Sequence, residues 1–132
     1  MTTGIRHMEL NDIPFYRNLL QDTNRYVPDK QINITTLDLD GIYMKVIDGR
    51  IVSTAKLFIE KKLYQSVGHI EDVITVNSER GNGYGKDLVK TLISIGIEKG
   101  CYKVVLYCKD ELEHFYSSCG MEKSGMFFTY RS

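Results

Sequence analysis

The chain has 132 residues, 42% of them hydrophobic and 26% charged, which is typical of one globular domain spanning residues 1–132. Its 17 basic residues equal its 17 acidic ones, which argues against a nucleic-acid-binding protein or one drawn to anionic membranes. No apolar run approaches the roughly 18 residues that span a bilayer, and the first residues lack the apolar core of a signal peptide. Three scattered cysteines without a CxxC pair or zinc spacing favour reduced thiols, a cytoplasmic protein and no metal site.

The first part of the chain predicts a strand followed by a helix. Residues 4–9 are typical of a short strand. A helix is expected next, with Asn11 or Asp12 as its N-cap and Pro14 in its first turn, where proline is tolerated.

A hairpin and one further strand are expected after an irregular polar segment. Apolar residues dominate segments 41–47 and 50–60, which flank Asp48-Gly49, a pair typical of a type I′ turn. The hairpin should therefore be antiparallel. A charged turn leads to a further strand at residues 68–76.

The second half alternates helices and strands. A largely buried helix is predicted over residues 86–99, with Gly100 just beyond its end. Residues 102–108 are nearly all apolar, which favours a strand covered on both faces. A short helix at 111–118 and a last strand at 125–131 complete the order β-α-β-β-β-α-β-α-β. This order predicts an α/β (α+β) fold, with a mixed central sheet and helices on both faces.

A glycine-rich turn precedes the long helix and carries the pattern R-x-x-G-x-G from Arg80 to Gly85. It is not a Walker loop, since Arg80 stands at the first glycine position and Asp87 follows Lys86, and it also fails the GxGxxG fingerprint. Glycines at the start of a helix let the backbone surround a pyrophosphate, and Arg80 and Lys86 add positive charge. The alternative is a tight connecting turn without a ligand.

Strand, R-x-x-G-x-G turn and amphipathic helix resemble the acetyl-CoA motif of the GNAT acetyltransferase superfamily, whose element order is the same. Over residues 68–131 the segments GHIEDV, RGNGYGKDLV, GCYKVVL and FYSSCG are similar to those of glucosamine-6-phosphate N-acetyltransferases. The resemblance implies transfer of an acetyl group from acetyl-CoA to D-glucosamine 6-phosphate on the UDP-N-acetylglucosamine pathway. It also implies a homodimer in which the last strand is exchanged.

The resemblance further implies the roles of individual residues. Acetyl-CoA would be held by a set that runs from the fourth predicted strand through the turn: Val73, Ile74, Thr75, Arg80, Gly81, Asn82, Gly83, Tyr84, Gly85 and Lys86, with Tyr116 near its sulfur. Asp72, with Glu71, would orient and help deprotonate the amine, and Tyr116 would serve the leaving thiolate. The alternatives are that Glu71 is only a surface charge and that Tyr116 only packs with Phe115.

The acceptor would contact a second set, which includes the basic residues expected to bind its phosphate: Asn24, Lys62, Leu63, Tyr64, Gln65, Glu71, Asp72, Val73, Tyr102, Lys103 and Arg131. Read alone, Lys62 is typical of a solvated turn. Two positions depart from the family pattern, because Tyr107 replaces a common acid and Leu112 replaces an asparagine.

Two other functions remain open from the sequence. One is a GNAT acetyltransferase for another amine, such as a different amino sugar, a polyamine or a protein amine. The other is a non-catalytic acyl-CoA-binding sensor, against which the joint presence of Asp72 and Tyr116 argues. Lys62, Lys103 and Arg131 favour a phosphorylated acceptor over a polyamine.

Overall fold

The protein is described by a computed structural model that covers residues 2–23 and 39–132. Five strands form one sheet in the order β1-β2-β3-β4-β5. The elements are β1 (Gly4–His7), α1 (Ile13–Asp22), β2 (Ile42–Ile47), β3 (Arg50–Glu60), β4 (Ser66–Thr75), α2 (Tyr84–Glu98), β5 (Cys101–Val105) and α3 (Glu113–Ser118).

The sheet is mixed, as expected. Strands β1 to β4 pair antiparallel, and β4 pairs parallel with β5 after the crossover through α2. Asp48 and Gly49 have φ values of 49° and 80°, which is the left-handed geometry that a type I′ turn requires at both central residues. Gly100 follows α2 with φ 97°, so the predicted helix stop is confirmed.

Helices cover both faces of the sheet. On one face Leu88 and Leu92 of α2 are fully buried against Leu57 and Ile70 of the sheet. The opposite face is covered by α1, where Tyr16 packs in a cluster with Met44 and its neighbours. Because neighbouring strand residues point to opposite faces, adjacent residues of β2 serve the two cores. The predicted fold class is confirmed.

Two predicted features of the second half are wrong. Residues 125–131 form no strand, and Met126, Phe128 and Tyr130 are almost fully exposed, because no strand of the described residues pairs with this segment. The fifth strand ends at Val105 rather than 108, and Tyr102 and Lys103 are exposed rather than covered. The second error follows from the first: without a last strand beside it, β5 is an edge strand of the described sheet, so an apolar run there is not buried on both faces.

An ion pair joins β1 to the start of α1. The Arg6 guanidinium donates two hydrogen bonds to the Asp12 carboxylate, at 2.7 and 3.1 Å, and the Glu9 backbone N–H donates a third at 2.9 Å. The hydrogen bonds from Arg6 hold the pKa of Asp12 below its ordinary value of 3.8. Asp12 occupies the N-cap position of α1, but its carboxylate makes no capping hydrogen bond to the helix. It accepts hydrogen bonds from Arg6 and from the Glu9 backbone instead.

This pair predicts a pH-dependent contribution to stability. Because the folded-state pKa of Asp12 is lowered, its stabilisation is present above the unfolded-state pKa and disappears as pH falls through the folded-state value. We expect Asp12→Asn to lower the free energy of unfolding by about 1 kcal/mol at pH 7, a low value because Arg6 is 39% exposed. Urea unfolding at several pH values should show this difference shrinking below about pH 4. Asp22→Asn, at the exposed end of α1, is the matched control, and a pH-independent loss would contradict the assignment.

Candidate functional site

Strand β4 carries a bulge at the acidic pair. Thr54 pairs with Ile74 and Lys56 pairs with Glu71, so two β4 residues, Asp72 and Val73, lie opposite one β3 residue. Asp72 has φ 53°, a left-handed conformation in which a non-glycine residue is uncommon. The sequence interpretation assumed a regular strand here and is wrong on that point.

The bulge changes which side chains share a face. Ile70 and Val73 both pack on the α2 side, although three residues along a regular strand would point to opposite faces. Glu71 therefore faces the α1 side, and Asp72 lies exposed in the bulge itself. The acidic pair thus stands at the point where the alternation of the strand is interrupted.

Strands β4 and β5 separate just before the bulge. Their pairing ends at His69 and Val105, whereas β4 continues to Thr75. Beyond this point no strand of the described chain pairs with that edge of β4. Backbone groups of residues 73–75, to which the family resemblance assigns acetyl-CoA binding, therefore lie along an edge that can bind a ligand in an extended conformation.

The glycine turn opens at the same end of β4. Gly81 and Gly83 have φ values of 87° and 77°, a region that glycine enters without steric cost. A Cβ built on either would meet nothing within 4 Å, so the turn faces open space at the start of α2. By contrast, a Cβ on Gly85 would lie 2.7 Å from the Thr75 hydroxyl oxygen, which is why only glycine fits there.

Both acids beside the turn are held in ion pairs. Glu79 accepts a hydrogen bond of 2.7 Å from Arg50, and this bond holds the pKa of Glu79 below its ordinary value. Asp87 pairs with Lys45. Arg80 and Lys86, on the turn itself, make no ion pair with any described residue, so the turn retains positive charge at a helix N-terminus.

Tyr116 lies on the same side of the sheet as the turn. It is half-buried in α3, and its ring meets Phe115 edge-on with centroids 4.9 Å apart. A Cβ built on Gly85 would lie 3.6 Å from the Phe115 ring. The helix α3 is therefore packed against the start of α2, and both the packing role and a role near a bound ligand are compatible with this position.

The residues predicted to bind the sugar phosphate form a separate group. Lys62, Leu63, Tyr64, Gln65 and Tyr102 line a shallow cavity of about 330 Å³, and the Lys103 ammonium lies 5.3 Å from the Tyr102 ring centroid. This cavity lies at the start of β4, whereas Asp72 lies six residues farther along. At about 3.3 Å per residue, the two ends are roughly 20 Å apart. One chain does not bring the whole predicted acceptor site together.

Two predicted acceptor residues stand apart from both groups. Asn24 lies outside the described residues. Arg131 is exposed in the 121–132 segment, which contacts the rest of the chain where Phe127 stacks on Tyr107 at a centroid distance of 3.9 Å. The departure at Tyr107 therefore has a structural role in this chain.

Sequence reasoning missed the cations that pair with the acids beside the turn. Lys45 and Arg50 belong to the β2–β3 hairpin, 42 and 29 residues before their partners. No local motif marks them, because each is an ordinary surface residue of a hairpin until the sheet and α2 pack together. It also missed the hydrogen-bonded hydroxyls of Ser53 and Thr75, 3.2 Å apart beneath Gly85.

Within residues 2–23 and 39–132, no helix has the length and apolar character needed to cross a membrane. The same part of the chain contains no cluster of three or more histidine, cysteine, aspartate or glutamate residues that could hold a metal ion. All three cysteines are free thiols.

The sequence profile of the Acetyltransferase (GNAT) family matches residues 7–121, most of the 132-residue chain. The chain belongs to this family. It is 35% identical over 127 residues to the glucosamine 6-phosphate N-acetyltransferase of Trypanosoma brucei brucei, covering 88% of this chain and 86% of that protein. The Candida albicans enzyme of the same name is 43% identical over 81 residues, 59% of this chain and 54% of the relative. The match to the Candida protein thus spans about half the length of that relative.

Structural similarity to this GNAT chain extends over its whole length. The crystal structure of glucosamine-6-phosphate N-acetyltransferase from Arabidopsis thaliana is 28% identical, has a TM-score of 0.78 and covers 99% of both chains. The glycine turn and the separation of β4 from β5 therefore occur within the fold of a known acetyltransferase family.

The backbone conformation at Asp72 predicts an unusual order of stability among variants. Asp72→Ala and Asp72→Gly both remove the carboxylate, but only alanine keeps a Cβ in the left-handed region. We expect the glycine variant to be the more stable by about 1 kcal/mol, measured by urea unfolding. The pair Glu71→Ala and Glu71→Gly is the control, since the neighbouring residue should favour alanine by about 0.5–1 kcal/mol. Equal or reversed stability at residue 72 would argue against the bulge.

Proposed function

We propose that this GNAT chain transfers the acetyl group of acetyl-CoA to the amine of D-glucosamine 6-phosphate, giving N-acetyl-D-glucosamine 6-phosphate. The observation that carries the proposal is the meeting of three features at one end of β4: the acidic bulge, the unpaired strand edge and the glycine turn. The names of the relatives matched along most of the chain support the choice of acceptor.

The glycine turn would hold the pyrophosphate of acetyl-CoA. Residues 80–86 combine exposed backbone N–H groups, a helix N-terminus and two cations, which together favour a phosphate ligand. The pairing of Glu79 with Arg50 and of Asp87 with Lys45 reduces the repulsion that these acids would otherwise exert on it. The pantetheine arm would then follow the edge of β4 along Val73, Ile74 and Thr75.

Acetyl transfer needs a neutral amine, a stabilised thioester oxygen and a leaving thiolate that receives a proton. Asp72 would orient the ammonium group, since the bulge exposes its carboxylate beside the strand edge. Backbone N–H groups near Val73 would stabilise the oxyanion as the amine attacks the thioester carbon. Tyr116 would donate a hydrogen bond or proton to the thiolate as the C–S bond breaks.

The acceptor phosphate would be bound by a second copy of the chain. The cavity residues Lys62–Gln65 and Tyr102 are roughly 20 Å from Asp72 along β4, farther than one sugar phosphate extends. Two copies related by a two-fold axis would bring this end of one chain, together with Lys103 and Arg131, to the acidic end of the other. The exposed apolar residues Phe128 and Met126 suit such an interface, and pairing of the 121–132 segment with the partner would supply the strand that the single chain lacks.

The reducing cytoplasm is the compartment we propose for this reaction. All three cysteines are free thiols, with Cys101 and Cys119 buried. Unpaired buried thiols are typical of proteins kept reduced.

One assay tests the proposed function. Thiol release from acetyl-CoA is measured with glucosamine 6-phosphate, glucosamine, spermidine and a lysine peptide under matched conditions. We expect the phosphorylated sugar to give the highest kcat/KM. A preference for another amine would establish the alternative acetyltransferase, and acetyl-CoA binding without turnover of any amine would establish the sensor.

A charge placed in the glycine turn should weaken acetyl-CoA binding. A side chain at residue 83 projects into open space, so Gly83→Asp adds a negative charge next to the proposed pyrophosphate without a clash. A unit charge at about 4 Å near a protein surface is worth up to about 4 kcal/mol, so we expect the Kd to rise at least about tenfold. Gly83→Asn is the matched control, because asparagine has the same shape and also tolerates positive φ. Calorimetry that finds the two variants equal would exclude the phosphate cradle.

Complementation between two impaired variants, assayed at an acceptor concentration well below the KM of Arg131→Ala, tests the shared acceptor site. Arg131→Ala should raise the KM for glucosamine 6-phosphate roughly 10- to 150-fold, the loss of one hydrogen bond to a charged group. Asp72→Asn should lower kcat. If Arg131 acts across the interface, each mixed dimer contains one intact site, and an equal mixture should regain about a quarter of wild-type activity after exchange.

The same mixing experiment can also exclude the shared site. If both residues act within one chain, no mixed dimer holds an intact site and activity stays at the level of the two variants. Exchange is verified by mass spectrometry of the dimers, and a monomer in sedimentation would exclude the two-chain site without mixing.

A further inference from the structure

A hydrogen-bonded histidine and glutamate lie on the same face of the sheet as Glu71. The His69 Nε2 atom is 3.0 Å from the Glu60 carboxylate, and the His69 ring packs beside Phe58, with centroids 6.0 Å apart. Ile70 points into the core beneath α2, so His69 and Glu71 both point to the opposite face. Residues two apart on a strand are separated by about 7 Å, a gap in which an amine nitrogen can approach both side chains.

The Glu60 contact determines which nitrogen of His69 can act as a base. An ionised carboxylate only accepts hydrogen bonds, so Nε2 carries the hydrogen and Nδ1 of the neutral ring keeps its lone pair. The hydrogen bond with His69 holds the pKa of Glu60 below its ordinary value, which keeps that carboxylate ionised. No described residue is hydrogen-bonded to Nδ1. A carboxylate that orients an imidazole and leaves the other ring nitrogen with a free lone pair is the usual arrangement of a histidine general base.

We propose that His69, held by Glu60, is the base that removes the proton from the acceptor ammonium, while Glu71 and Asp72 orient it. This inference rests on the proposed acetyl transfer to an amine. An N–H bond of the ammonium breaks and its proton bonds to Nδ1 of His69. The freed nitrogen lone pair then attacks the thioester carbon and the C–S bond breaks. The departing thiolate receives a proton from the Tyr116 hydroxyl, which regains one as the nitrogen loses its second proton on becoming the amide.

The surroundings of His69 allow the proton to leave again. Its side chain is 33% exposed, so the imidazolium can release the proton to solvent after each turnover. Among the described residues, the charged groups on this part of the face are Glu60, Lys56 and Lys62 on or just after β3, Glu71 on β4 and Lys103 on β5. Of these groups, Glu60 is the one hydrogen-bonded to the His69 ring. The β5 residue beside His69 is Val105, which carries no charge.

The test is the pH dependence of kcat/KM for glucosamine 6-phosphate in the full chain. We expect His69→Gln to lower kcat/KM at pH 7 by about 10² or more. The defect should shrink as pH rises, because the free amine then forms without a base. Glu60→Gln should also lower kcat, because an amide can donate as well as accept and no longer fixes Nε2 as the protonated nitrogen of His69.

Controls separate this role from folding and from the proposed function. His7→Gln changes a histidine that stacks on Tyr43, on the α2 side, and should leave the profile unchanged. Acetyl-CoA binding by calorimetry should be unaltered in all three variants. A loss that is equal at every pH, or an unchanged profile in both His69→Gln and Glu60→Gln, overturns the inference while wild-type turnover still supports the proposed function. Wild-type protein that acetylates no amine overturns both.

Discussion

The interrupted pairing of β4 is the constraint on which the candidate site depends. A strand paired on both sides to its end would leave neither backbone groups nor space for a ligand. Here β5 separates after His69, and the bulge then sends Asp72 outward while Val73 returns to the core. The parallel crossover through α2 requires the glycine turn to begin where β4 ends. One irregular strand therefore brings an exposed edge, an acid and a helix N-terminus together.

The proposed cofactor site and the proposed acceptor face carry side chains of opposite charge. Acids adjoin the glycine turn in sequence, yet Arg50 and Lys45 from the hairpin pair with them. The positive charge of the turn is thus preserved by residues from a different part of the chain. Along the α1-side face, Glu71 and the Glu60–His69 pair carry the opposite character, which suits an ammonium group rather than a phosphate. The charge of the candidate site therefore changes sign, from the basic glycine turn to the acidic residues on the α1-side face.

The single chain leaves a second surface incomplete. The cavity at the β3–β4 turn, the exposed start of β5 and the aromatic residues of the 121–132 segment lie at or near an open sheet edge. Exposed aromatic groups and an unpaired edge are features that folded proteins usually cover. A second copy would cover them and would also bring further basic residues to the acidic end of β4. In this proposal, assembly and acceptor binding have the same structural cause.

The sequence by itself determined the features that depend on neighbouring residues. The Asp48-Gly49 turn, the stop at Gly100, the position of α2 and the glycine turn all follow from local backbone preferences and apolar spacing. The resemblance to the family motif adds the predicted roles of the site residues.

Tertiary structure alone decided the bulge at Asp72, the exposure of β5, the distance between Asp72 and the Lys62–Gln65 cavity, and the Glu60–His69 pair. Register, pairing partner and burial depend on segments far apart in the chain, so the same residues would be regular, covered or unpaired in another arrangement. The missing last strand has the same reason: residues 125–131 have strand character, but a strand forms only when it pairs with another, and within the described chain this segment pairs with none.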